Sequence, residues 1–92
     1  MKKIINARMV VKPETIEQFL YQAKIIVEKT NAEIGCFFYK LYQEVGNPAG
    51  FIFYEIYENQ EAIEFHNSSD YLKTFLANTS GLLSEDAIVE VF

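Results

Sequence analysis

The chain has 92 residues, half of them apolar and 15% aromatic, with eight Phe, six Tyr and no Trp. At that length a single domain over residues 1–92 is predicted and two independent cores are excluded. Thirteen Asp and Glu against eight Lys and Arg give a formal charge of −5, which excludes the phosphate-neutralising surface of a nucleic-acid binder, and one Cys with one His cannot build a disulfide scaffold or a zinc or copper site within one chain.

From Lys3 to Val11, Ile5, Ala7, Met9 and Val11 alternate with Ile4, Asn6, Arg8 and Val10. The period is two and neither face is wholly polar, which predicts a strand covered on both sides. Asn6 and Arg8 also interrupt the apolar stretch after Met1-Lys2-Lys3. That stretch reads neither as a signal-peptide core nor as a membrane span, and a lone cysteine fits a reducing cytoplasm. Pro13 suits a first helical turn, where its missing N–H would be unsatisfied anyway. Ile16, Phe19, Leu20, Ala23, Ile26, Val27 and Thr30 then recur at three- and four-residue steps, predicting an amphipathic helix ending near Asn31.

Glu33-Ile34-Gly35 turns the chain into a second strand, Cys36 to Gln43, with aromatics on both faces. Gly46 to Gly50 carries turn residues ahead of a third strand, Phe51 to Tyr57, so the two strands form a hairpin. Asn59 is an N-cap for a short helix through about His66, and Ser68-Ser69-Asp70 offers a fresh cap for another that runs through Tyr71, Leu72, Phe75 and Leu76 to Gly81. Ala87 to Phe92 reads as a fourth strand.

The order β-α-β-β-α-β, with its second helical region split, predicts a ferredoxin-like α+β fold in which helices cover one face of a four-stranded antiparallel sheet. The strands are apolar on both faces, so a second copy of the chain is the simplest cover for the other one. The aromatic surplus points to that homodimer interface and to a ligand pocket with aromatic walls.

Few side chains in the chain are suited to chemistry. His66 is the one group whose unperturbed pKa lies near neutrality, and it serves either as a helix-end cap or in a pocket. Asn6, an amide inside an apolar run, needs a hydrogen-bond partner, either backbone or Glu55. Glu55, between Tyr54 and Ile56, is either a buried anchor or a substrate contact, with Arg8 or a tyrosine hydroxyl as its expected partner. Cys36 lacks a neighbouring base and reads as a buried inert thiol. No phosphate-cradling glycine loop, serine elbow or zinc-helix signature is present.

The blocks Arg8-Met9-Val10-Val11-Lys12-Pro13-Glu14, Glu33 to Tyr39, Phe53-Tyr54-Glu55-Ile56-Tyr57 and Ala62 to Tyr71 together resemble, in order and spacing, the antibiotic biosynthesis monooxygenase family. The resemblance implies a dimeric α+β barrel and a cofactor-free oxygenase with no metal, whose small quinol-like or phenolic substrate supplies the electrons. It also implies His66 and Asn6 as catalytic residues, with Glu55, Tyr54, Arg8 and Tyr71 against the substrate. The absence of Trp departs from the haem-degrading branch. The block from Phe53 to Tyr71 is also similar to the branch that processes a phosphorylated autoinducer-2-type sugar. That likeness implies an isomerase with His66 or Glu55 as base and Arg8 or Lys40 meeting the phosphate. A non-catalytic dimer holding an aromatic ligand is the third reading.

Overall fold

The computed structural model describes all 92 residues. Strand β1 (Lys3–Val10) leads through a 3-10 turn at Pro13–Thr15 into α1 (Ile16–Asn31), followed by β2 (Cys36–Glu44), β3 (Asn47–Tyr57), α2 (Gln60–Asn67), α3 (Asp70–Thr79), a second 3-10 turn and β4 (Ile88–Val91). The sheet order is β2-β3-β1-β4 with every pairing antiparallel. This is the ferredoxin-like α+β arrangement.

Alternation along β1 puts Ile5, Ala7 and Met9 on the helix-covered face, where all three are buried. The register Ile5↔Glu55, Ala7↔Phe53 and Met9↔Phe51 extends that face across β3. Helix α1 buries Phe19, Ala23, Ile26 and Thr30 against it, the stripe its three- and four-residue spacing requires. Phe19 is fully buried, with its ring centroid 4.8 Å from that of Phe51 and 6.0 Å from that of Phe75. Aromatic packing therefore fixes α1 and α3 over the middle of the sheet.

β1 stops one residue earlier and β2 one residue later than read, and three boundaries differ by more. Asn47 to Gly50 belong to β3, so the hairpin turn is confined to Val45 and Gly46, the latter at φ +92° where a side chain would be strained. Pro48 sits in the bulged stretch between the Glu44↔Asn47 and Gln43↔Phe51 pairs, where its missing N–H breaks no regular ladder. Gly81 lies within the 3-10 turn Ser80–Leu82, and the last strand is shortened to Ile88–Val91. The two helix caps form as read: Asn59 accepts from Ala62 N–H at 3.0 Å and Ser69 from Leu72 N–H at 3.3 Å. No helix is long and apolar enough to cross a membrane.

Candidate active site

Between the inner sheet face and helices α2 and α3 lies a cavity of about 350 Å³. Its walls are mostly apolar, with Met9, Phe53, Phe75 and Val91 among them, and its polar side chains are Tyr39, Glu55, Gln60, His66 and Asn67. No Lys or Arg lines it.

His66 arrives there because α2 turns Ile63 and His66, three residues apart, toward the sheet. His66 is 4% exposed, and its imidazole lies between two buried tyrosines, with ring centroids 5.5 Å from Tyr39 and 5.6 Å from Tyr57. Nδ1 is 3.0 Å from Glu33 Oε2, in the connection between α1 and β2. With a carboxylate as partner, Nδ1 carries the proton, so Nε2 is left as an acceptor that no protein group occupies. Tyr71 Oη donates to the same Glu33 oxygen, while Glu33 Oε1 is buried without a partner. The His66 side chain is thus turned inward and held in one tautomer by a buried carboxylate instead of capping the end of its helix.

Glu55, 4% exposed, faces the same cavity. Burial pushes its carboxyl up to about 7, against the lowering effect of the hydrogen bond from Tyr57, and the nearby Glu33 charge raises it further. Tyr57 Oη donates to Glu55 Oε1 at 2.8 Å. Burial, with the adjacent Glu55 charge, drives the Tyr57 and Tyr39 hydroxyls far above the ordinary tyrosine range, so both stay protonated. Cys36 is buried, its Sγ donates to the Phe38 carbonyl, and burial pushes the thiol up to about 11, which leaves no thiolate for nucleophilic chemistry.

Of the six residues singled out in the sequence, the fold brings Glu55 and His66 into one cavity. Tyr71 is two hydrogen bonds from His66, through Glu33, but lines the outer side of that wall. Asn6, Arg8 and Tyr54 lie on the opposite face of the sheet, because Asn6 pairs with Tyr54 and Arg8 with Ile52, one residue out of phase with Ile5↔Glu55. The partner of Glu55 is therefore Tyr57, and neither Asn6 nor Arg8 reaches it. Asn6 Oδ1 is instead buried with no partner. Glu33, Tyr39 and Tyr57 were not among the sequence candidates. Tyr57, two residues beyond Glu55, was signalled by strand period alone, whereas nothing local marks Glu33.

Gly35 seats α2 against the start of β2. A Cβ there would stand 2.5 Å from the Ala62 Cβ, and since its φ is not positive, the glycine is needed for room and not for conformation. Gly35→Ala is expected to push α2 outward and destabilise the fold by about 1–3 kcal/mol, read from denaturant midpoints. An unchanged midpoint would show that α2 is not seated there.

The model of the antibiotic biosynthesis monooxygenase family matches residues 4–78. Among curated relatives, YcnE of Bacillus subtilis, provisionally named a monooxygenase, is 35% identical over 81 residues, which cover 88% of this chain and 85% of YcnE. An uncharacterised Synechocystis protein is 25% identical over 89 residues, 97% of this chain, and the chain spans only 60% of that relative's length. The crystal structure of a conserved Methanosarcina mazei protein superposes with a TM-score of 0.96 at 27% identity, covering 100% of this chain and 91% of that one.

Proposed function

This chain belongs to the antibiotic biosynthesis monooxygenase family, and from that premise we propose that it is a cofactor-independent monooxygenase acting on a small quinol-like or phenolic substrate in the cavity beneath α2. The observation that carries the reading is His66, with a free Nε2 at an apolar cavity and a buried carboxylate behind it. A phenolic hydroxyl lodged there gives its proton to Nε2, which raises the electron density of the ring and lets it reduce dioxygen directly. One oxygen atom joins a ring carbon, and the other leaves as water with the hydroxyl and ring hydrogens. The substrate loses the four electrons that dioxygen gains. Glu55, poised near neutrality, hydrogen-bonds a second substrate oxygen. The aromatic and aliphatic walls hold the ring dry.

A phosphorylated sugar would meet no cation in this cavity. Arg8 lies across the sheet, and Lys40 folds over the Phe38 ring with Nζ 5.1 Å from its centroid. We further propose a homodimer in a reducing cytoplasm, in which a second copy covers the sheet face that bears Ile4, Ile52 and Ile56 and supplies a donor for the orphaned Asn6 Oδ1. Incubation with a naphthalene dihydroquinone in an oxygen electrode is expected to consume one dioxygen per quinol well above autoxidation, with sedimentation giving a particle of two chains. Binding without oxygen uptake, or isomerisation of a sugar phosphate under anaerobic conditions, would overturn the oxygenase reading.

A further inference from the structure

A second depression, a groove of about 610 Å³, lies on the other side of the wall that holds His66. Glu33 and Tyr71 line it together with Lys29, Ala62 and Phe65, whereas His66 lines only the inner cavity. The two spaces are joined by one hydrogen-bonded chain: His66 Nδ1 to Glu33 Oε2 at 3.0 Å, and Tyr71 Oη to that same oxygen. Glu33 is the only partner of the His66 ring nitrogens within the protein. The only hydrogen-bonded way out from the imidazole therefore leads to the groove.

The bonding of Glu33 is not that of a structural anchor. A carboxylate buried for support normally has both oxygens satisfied. Here both donors converge on Oε2, and Oε1 is buried with none. Oε2 therefore touches the imidazole and the tyrosine hydroxyl at once, the placement that a relay atom between the two spaces requires. Tyr71, half-buried, supplies the hydroxyl at the groove end.

We propose that His66, Glu33 and Tyr71 form a proton-release path that carries the proton taken from a substrate in the inner cavity to solvent in the outer groove. The proposal rests on the reading of His66 as the base. The substrate O–H breaks and a bond to Nε2 forms. The Nδ1 proton passes to Glu33 Oε2, returning His66 to neutrality. The Tyr71 hydroxyl, which donates to Oε2 at rest, turns its hydrogen to a groove water, and the new carboxylic acid then donates to Oη as that hydrogen leaves, so one net proton has crossed the wall with no electron moved. When the second oxygen atom leaves as water it takes the Nε2 proton, and a proton returning through Tyr71 and Glu33 to Nδ1 restores the resting tautomer. His66 is the catalytic residue in this scheme, with Glu33 and Tyr71 relaying behind it.

The test uses the full chain and para-nitrophenol, whose absorbance reports its own ionisation, mixed in weak buffer with a pH indicator in a stopped-flow instrument. In the unaltered protein, protons reach the bulk in step with ionisation of the bound phenol. Tyr71→Phe is expected to slow release by on the order of tenfold or more, and added formate, a small carrier that can enter the groove, to restore it. Should Tyr71→Phe fail to fold, Glu33→Gln, which keeps the shape but cannot carry a proton, is expected to slow release alike. Release at the unaltered rate in the folded variant, or a slowing that no formate concentration relieves, overturns the path and leaves His66 as base. Failure of the unaltered protein to ionise the phenol overturns the proposed function itself, and the path with it.

Discussion

His66→Ala is expected to lower kcat for a dihydroquinone by about 10²-fold or more, the usual worth of a positioned acid–base group. The loss should fall on kcat more than on KM, because the ring walls that bind the substrate are untouched while the proton acceptor is gone. Glu33→Gln should cost less alone, since an amide can still hydrogen-bond the imidazole but cannot stabilise it as a cation. In the double variant the two losses should fail to add, because Glu33 acts only through His66. A full rate in His66→Ala, with circular dichroism showing an intact fold, would remove His66 from the chemistry. Additive losses would show that Glu33 reaches the substrate by another route.

Stability should fall as the pH rises across the acid-to-neutral range, the reverse of the usual carboxylate behaviour. Glu55 ionises at about 7 in the fold against an ordinary 4.5. The folded state therefore favours the protonated form, so the contribution is complete below about 4.5 and is lost as the pH climbs through about 7. The interval corresponds to on the order of 3 kcal/mol, from burial of a carboxyl whose one donor is the Tyr57 hydroxyl. Denaturant titrations at about pH 5 and pH 8 should show that loss, and Glu55→Gln, neutral at both, should remove most of it. Equal slopes for the variant and the unaltered protein would mean that Glu55 is charged throughout and that some other group holds it.

The fold was legible because its signals are local. The two-residue period of β1, the spaced apolar stripe of α1 and the caps at Asn59 and Ser69 each need only their own neighbourhood, and each forms as read. The site was legible in part. Glu55 and His66 stood out as an isolated carboxylate in a strand and a lone histidine, chemistry that announces itself anywhere in a chain. Asn6, Arg8 and Tyr54 carry equally marked chemistry, but both faces of β1 and β3 are apolar enough that sequence parity does not say which one the helices cover. Glu33 was invisible for a different reason. Its two partners lie 33 and 38 residues away, and an acidic residue before Ile-Gly at the start of a strand is also what a solvated turn looks like.

Strand β4 is the thinnest part of the enclosure. It is four residues long, exposed throughout, and pairs with β1 alone, yet Val89 and Val91 form one wall of the cavity. Its detachment would break a short ladder while the aromatic packing of α1 and α3 on the sheet stayed intact, which places it among the segments that open far more cheaply than the whole molecule. The seam that closes the chamber on this side is a single short ladder, clasped at its end by the reciprocal backbone bonds between Ile4 and Phe92.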